Sequence, residues 1–356
     1  MVHGCSKDGM TGFWRWYHQG SSGCNTSCCQ PKPEPKCWSQ GVHVLKYDPN
    51  SNEVKTVVLG DDEANPEITE GWLNNLIGGR PRRADVIAVS FPNMTAGNIG
   101  RRVFDICHSL TSVSFPEMTG NIDEYAFANC HSLTSVSFPK MKGNIGKLAF
   151  DDCHSLTSVS FPDMEGDIEE RAFKYCHSLT SVSFPKMGGD IEEMTGNIGR
   201  DAFYNCDSLT LVCFPEMTGN IGSDAFYNCN SLTSVSFPMM KGDIGINAFD
   251  DCHSLTSVSF PDMEGDLGTG AFYSCNSLTS VIFPMMKGNI GTGAFYNCYR
   301  LGESNPEETV IFASTQAFSN VETWDAVGTS GGRVQVTVDK NRLKFANGTS
   351  GIPKPE

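Results

Sequence analysis

The ten letters "CHSLTSVSFP" appear five times in the chain, beginning at Cys107, Cys130, Cys153, Cys176 and Cys252. A phrase repeated at fixed spacing constrains a fold more tightly than composition does, because each copy becomes the neighbour of a near-identical copy. An active site needs the opposite, a few different groups converging on one point. Cys107, Cys130, Cys153 and Cys176 lie 23 residues apart, the step to Cys206 is 30, and Cys229, Cys252, Cys275 and Cys298 resume the spacing of 23. The longer step contains "KMGGDIEEMTGNIGRDAF", in which a G-D/N-I phrase occurs twice. Its seven extra residues are expected to bulge from one loop and to leave the register intact on both sides.

One unit reads "LTSVSFPEMTGNIDEYAFANCHS" from Leu110. "LTSVSF" alternates with period two and reads as a short strand. Pro ends it, because it has no N–H to give to a ladder. "TGN" or "KGD" is turn chemistry. "DAFYNC" is too short for a regular helix and suits an irregular or 3₁₀-type turn. A unit this small cannot cover its own apolar side, whereas stacking covers both faces of every inner copy at once. Equivalent residues then form columns. Of the 22 phenylalanines, ten fall in a strand column from Phe91 to Phe312 and ten in an "AF" column from Phe104 to Phe318, leaving Phe13 and Phe345 outside. The expected fold is an α/β-type repeat solenoid of short parallel strands and irregular or 3₁₀ turns, with about ten rungs.

Both ends of such a stack need covering, because unpaired strand edges invite aggregation. "VHVLKYDPNSNEVKTVVLG" from Val42 reads as a hairpin with "DPNSN" as its turn, and "GWLNNLIGG" from Gly71 as a short amphipathic turn or helix. "RVQVTVDKNRLKF" from Arg333, with Val334, Val336 and Val338 alternating, reads as a second hairpin. The chain therefore divides into a Cys-rich arm (1–40), an N-terminal cap (41–85), the solenoid (86–312) and a C-terminal cap with a hairpin (313–356). "PKPEPK" at Pro31 reads as a stiff linker.

The net charge of −15 has one source: between Val86 and Phe312 there are 27 acids and 12 bases, while the flanks hold 14 of each. An acidic array repels phosphate backbones and anionic lipid heads, so nucleic-acid binding is not expected. No window holds 18 apolar residues, so membrane insertion is not expected either. The N-terminus lacks a basic segment followed by an apolar one and does not read as a secretory leader.

The strand, the Pro and the phrase I-G-x-x-A-F-x-x-C-x-S-L together resemble the BspA-like leucine-rich repeats, a 23-residue subclass. "IGKLAFDDCHSLTSVSFP" from Ile145 is a close match, and the pattern runs from about Val86 to Phe312. Met118, Met141 and Met164 stand where that family usually has a branched aliphatic residue; Met packs adaptably, so the fold expectation is unaffected. The resemblance implies a cell-surface or extracellular protein used in adhesion or protein binding, without catalysis and without a cofactor.

In such folds the strand's outward positions form the concave face. Here they are Ser112 and Ser114, Ser135 and Ser137, Ser158 and Ser160, Ser181 and Ser183, Leu211 and Cys213, Ser234 and Ser236, Ser257 and Ser259, and Ser280 and Ile282. This face is the candidate binding surface for a protein or a surface glycan. Leu211, Cys213 and Ile282 alone break its hydroxyl grid. The alternative is a structural role, in which the array and its termini self-associate into a layer, fibre or particle.

Three other columns bear titratable groups. Nine cysteines from Cys107 to Cys298 read as small buried thiols, since side chains in a column point in parallel and do not face one another for bridging. His108, His131, His154 and His177 give way to Asp207, Asn230, His253, Asn276 and Tyr299 in the same column, so a turn or capping role is expected and a metal site is not. Four stacked imidazolium ions would repel, so acid is expected to strain the first half of the array more than the second. Around the strand-following Met, Glu117, Lys140 with Lys142, Asp163 with Glu165, and Lys186 alternate in sign, which predicts ion pairs between rungs and fixes their register. In the arm, Cys5, Cys24, Cys28, Cys29 and Cys37 with His3 and His18 leave disulfides, a zinc knot and free thiols all open. No G-x-S-x-G, P-loop or H-E-x-x-H phrase is present, and no candidate acid, base or nucleophile forms a unique pair.

Overall fold

The computed structural model describes residues 43–48, 53–58, 68–77, 80–91, 95, 97–187, 196–283, 285–300, 310–312 and 343–345. All belong to one compact unit, Gln40–Glu356. Thirteen strands form a single sheet. An N-terminal hairpin, β1 (His43–Asp48) and β2 (Glu53–Val58), is followed by helix α1 (Glu70–Ile77), a 3₁₀ turn (Arg80–Asp85) and β3 (Val86–Ser90). Then come β4 (Ser112–Ser114), β5 (Ser135–Ser137), β6 (Ser158–Ser160), β7 (Ser181–Ser183), β8 (Leu211–Cys213), β9 (Ser234–Ser236), β10 (Ser257–Ser259), β11 (Ser280–Phe283), β12 (Val310–Phe312) and β13 (Leu343–Phe345). From β3 to β13 the strands are parallel and adjacent in chain order, the topology of a solenoid.

Register follows the repeat. Ser135 pairs with Ser158 and Val136 with Val159, and the pattern crosses the 30-residue step without a slip, with Ser181 opposite Leu211. The bulge expected there, residues 188–195, lies outside the described residues. A second line of contact runs down the opposite edge of the core, where single parallel bridges join Ile99, Ile122, Ile145, Ile168, Ile198, Ile221, Ile244, Leu267 and Ile290 in succession.

Between these two lines the "AF" segment is a run of β-turns and not a 3₁₀ helix. Alternate N–H groups close turns within the rung, as from Ala126 to Asp123 O and from Ala128 to Tyr125 O. The intervening ones donate to the next rung, as from Phe127 to Ala149 O at 2.7 Å and from Asn129 to Asp151 O at 2.8 Å. Successive peptide groups thus alternate between closing a turn in their own rung and bonding the next rung. The turns need left-handed residues, and Asn129, Asn205, Asn228 and Asn297 supply them at φ between 57° and 61°.

The "G-N/D-I" phrase has a sharper role than a turn. Asn98 Oδ1 accepts the N–H of Asn121 at 2.9 Å, Asn220 that of Asp243 at 2.7 Å and Asp266 that of Asn289 at 2.6 Å, so the side chains form a ladder down the array. A methyl group at Gly242 would lie 2.4 Å from Asn220 Oδ1 and 2.6 Å from Gly219 O. The glycine is required by that close approach.

The core is one continuous cluster from Ile68 to Cys298. Strand-column phenylalanines stack at centroid distances of 4.8 Å (Phe91–Phe115) to 5.6 Å (Phe237–Phe260), and the "AF" column stacks likewise. At the N-terminal end β1 pairs antiparallel with both β2 and β3, so the expected hairpin covers the first parallel strand. Helix α1 buries Leu73 and Ile77, and Trp72 lies 5.5 Å from Phe91.

At the other end Phe345 was expected outside the columns, and it is not. It pairs with Phe312 as β13 adds a further parallel strand to the sheet. The remainder of the expected C-terminal hairpin, residues 333–342, and the arm 1–40 lie outside the described residues. Among the described residues no helix is long and apolar enough to cross a membrane.

Candidate binding face

The sixteen outward positions named above all lie on β4–β11, two per strand, flanking a central Val that points into the core. Ser135, Ser137, Ser158, Ser160, Ser181, Ser183, Ser234, Ser257 and Ser259 are exposed, while Ser112, Ser114, Ser236, Ser280, Cys213 and Ile282 are half-buried. None of these serine hydroxyls has a side-chain partner within the described chain. The neighbouring threonines differ: Thr157 Oγ1 donates to Thr134 O at 3.0 Å and Thr210 Oγ1 to Thr180 O at 2.9 Å, each tying a rung to the one before. The Thr hydroxyls are thus occupied in holding the stack, and the Ser hydroxyls are not. Leu211 is 46 % exposed where most copies place serine, an apolar side chain the core does not use.

The charge alternation produces the expected pairs. Lys140 bonds Glu117, Lys142 meets Glu165 at 2.9 Å, Lys186 meets Asp163 at 2.6 Å and Lys287 meets Glu264 at 2.7 Å, each across one rung. The Lys186 ammonium holds the Asp163 carboxyl below the usual range. All are at the surface, so their value lies in register more than in stability. The pattern also hides two residues that a reading by charge passes over. Met239 and Met285 occupy the position after Pro where Lys140 and Lys186 stand, and they are 46 % and 48 % exposed. The signal was the first Met of each "PMMK".

The nine column cysteines are buried free thiols. Each thiol from Cys130 onward donates to a Phe carbonyl of the rung before, as Cys130 Sγ to Phe104 O at 3.2 Å and Cys298 Sγ to Phe272 O at 3.1 Å. Burial pushes the Cys107 thiol up to about 12, against a smaller opposing pull from the Arg83 guanidinium. Cys130 and Cys153 are driven higher for the same first reason. A thiolate is the reactive form. Of the ten described cysteines, iodoacetamide is therefore expected to label only half-buried Cys213 in the native protein, and all ten in denaturant. Peptide mapping that found native labelling along the column would contradict this packing.

Two rungs share the identical text "AFDDCHSLTSVSFPDMEGD", from Ala149 and from Ala248. In both, the first Asp has a buried Oδ1 with no hydrogen-bond partner. Burial, then the neighbouring Asp251, pushes the Asp250 carboxyl up to about 7; burial, then Asp152, pushes Asp151 up to about 6. For Asp250 the folded state holds its proton more tightly than the unfolded chain, whose carboxyl titrates near 4. This position is therefore best tolerated below pH ~4 and loses stability as pH rises to about 7. Asp250→Asn is expected to raise Tm at pH 8 and to change it little at pH 4. A Tm gain of equal size at both values would reject the titration.

In the His column, His108 Nδ1 lies 2.9 Å from Asn129 O and His253 Nδ1 lies 2.9 Å from Ser274 O, the turn role expected of it. The imidazoles do stack, His108 over His131 at 4.6 Å and His154 over His177 at 5.4 Å. The neighbouring column contributes an acid the expectation of mutual repulsion omitted. Asp152 lies beside both His131 and His154, and within the His column itself Asp207 lies 2.9 Å from His177, so these imidazoles face carboxylates as well as one another.

The family described as "BspA type Leucine rich repeat region" matches residues 84–195 and 196–324. A leucine-rich repeat protein from Bacteroides ovatus is 27 % identical, over 60 % of this chain and 59 % of its own, with a TM-score of 0.41. The T. pallidum leucine-rich repeat protein is 26 % identical, over 61 % of this chain and 84 % of its own, with a TM-score of 0.37. A leucine-rich cell surface protein from Faecalibacterium prausnitzii is 24 % identical, over 58 % and 69 %, with a TM-score of 0.35. The chain spans little more than half the length of the first of these. No curated protein matches it in sequence.

Proposed function

The chain belongs to the BspA-type leucine-rich repeat family, and from that premise we propose that the outward face of its parallel sheet is a non-catalytic docking surface for a protein partner, used in adhesion at a cell surface. The observation that carries this reading is Leu211, exposed on a face of unpartnered serines. A buried apolar anchor within a polar surround is how protein interfaces concentrate affinity. Ile282 lies three strands away, about 14 Å at sheet spacing, within the footprint of one protein partner. A surface glycan is less well served, because no outward position from β4 to β11 is aromatic.

The test is capture of partners from surface-protein extracts by the full chain and by the double variant Leu211→Ser, Ile282→Ser. That variant restores the repeat's own residue at both places and keeps the fold. Loss of capture supports the reading, and undiminished capture rejects it. Capture that survives the double variant and vanishes on removal of residues 1–40 moves the binding site to the arm. The second reading, self-assembly, rests on β2 and β13, the outermost strands among the described residues. Concentration-dependent, open-ended growth in light scattering would favour it over docking.

A further inference from the structure

We propose that His131, Asp152 and His154 form a binding site for one borderline divalent cation, Zn²⁺ or Ni²⁺, that clips two successive rungs together. The three residues come from two columns and two rungs: His131 from one rung, Asp152 and His154 from the next. His154 Nε2 lies 3.1 Å from Asp152 Oδ1, and His131 Nε2 lies 3.4 Å from Asp152 Oδ2. The three donor atoms fall within 4.8 Å of one another. A tetrahedral ion with bonds of about 2.0–2.1 Å sets its ligands about 3.3 Å apart, close to both distances; because the two imidazoles face different oxygens of Asp152, the ion needs a small shift of one ring to a shared oxygen or both oxygens as ligands.

Two further observations separate this place from the rest of the column. His131 Nε2 is buried as an atom yet has no hydrogen-bond partner, an orphaned donor-acceptor position facing the carboxylate. The rings of His131 and His154 are also tilted by 43°, whereas the pairs on either side are stacked at 27° and 6°. The stack opens where the two Nε2 atoms turn to the same acid. All three side chains keep 30–44 % of their surface exposed, so the cluster lies at the protein surface. Two imidazoles with one carboxylate favour Zn²⁺ or Ni²⁺ over the all-oxygen preference of Ca²⁺ and Mg²⁺.

The repeat supplies its own control. The duplicate text repeats the acid and the imidazole as Asp251 and His253, but Asn230 stands where His131 would be, and His253 Nδ1 lies 2.9 Å from Ser274 O. Among the described residues the three-ligand set occurs once. It also supplies fold-neutral substitutions, since Asn129, Asn205 and Asn228 occupy the Asp152 column and Asn230 and Asn276 the His column.

The experiment is calorimetric titration of the full chain with Zn²⁺ alone, for wild type and for His131→Asn, Asp152→Asn and His154→Asn. Expected is the loss of one site from the stoichiometry, or its weakening by at least about tenfold, in each variant. The Zn²⁺-induced rise in Tm should shrink in parallel. Titration with Co²⁺ distinguishes this site from the N-terminal cysteines, because imidazole and carboxylate ligands give no thiolate charge-transfer band. The proposal is overturned if all three variants bind Zn²⁺ with wild-type stoichiometry and affinity, or if every bound Co²⁺ shows the thiolate band.

Discussion

Phe203→Ala is expected to destabilise the solenoid by about 3–5 kcal/mol, read as a fall in the urea midpoint followed by far-UV circular dichroism. Phe203 is fully buried and stacks between Phe173 at 5.2 Å and Phe226 at 5.1 Å, with ring planes within 5° of parallel. Truncation removes both contacts and leaves a cavity that the surroundings cannot close. On one side Phe173 N–H donates to Ala202 O at 2.8 Å, and on the other Phe203 N–H donates to Ala225 O at 2.7 Å, so the rungs are held at fixed spacing. Because stability in such arrays is a sum of nearest-neighbour terms, a weakened central interface also divides the array into two cooperative blocks. A lower m-value or a second transition is therefore expected alongside the lower midpoint. Ser183→Ala, on the outward face, should change the midpoint by less than about 0.5 kcal/mol. If Phe203→Ala cost no more than that, the column would not be a shared interior.

The repeat period made most of this architecture legible. Spacing alone assigned Phe, Cys and Met to columns, and sign alternation at Glu117, Lys140, Asp163 and Lys186 gave ion pairs that the structure contains. What escaped a column-by-column reading is contact between columns. Asp152 and His154 belong to different columns, and His131 to a different rung, so no single line of letters shows them meeting. The Asn98–Asn121–Asn144 ladder was read as turn chemistry because a side chain that accepts an N–H 23 residues away leaves no local signature. Phe345 was set aside for a related reason. Its distance of 33 residues from Phe312 breaks the period, while its backbone joins the sheet in register. Exposure of Leu211 was legible, since one odd letter in a repeated strand is visible at once.

The N-terminal end depends on a residue that no periodicity marks. Arg83 is fully buried between helix α1 and the first turn segment. Its Nη1 donates to Arg102 O at 2.6 Å and to Asp105 O at 3.0 Å, its Nε donates to Asn74 Oδ1 at 3.1 Å, and its Nη2 lies 3.2 Å from Glu70 Oε1. One guanidinium thus joins the helix to two carbonyls of the terminal rung. Asp105 O stands where Ala128 O, one rung on, accepts the N–H of Ile106, so the guanidinium takes the place of a preceding rung's donor there, while Arg102 O also accepts the N–H of Asp105. Arg83→Leu removes the donors but keeps the apolar volume, leaving the Glu70 charge without its partner. Glu70 keeps 37 % of its side chain exposed, so the cost falls chiefly on the carbonyls that lose their donor, about 1–3 kcal/mol for a buried one. The loss should be local, because each rung feels only its neighbours. Hydrogen exchange is therefore expected to accelerate at the amides of residues 99–107 and to stay at wild-type rates beyond residue 200. Arg83→Lys, which keeps the charge and loses the planar fork, should fall between the two. Unchanged protection at residues 99–107 in Arg83→Leu would show that the cap is held by the β1–β3 pairing alone. Acceleration along the whole array would show instead that the rungs do not behave as independent neighbours.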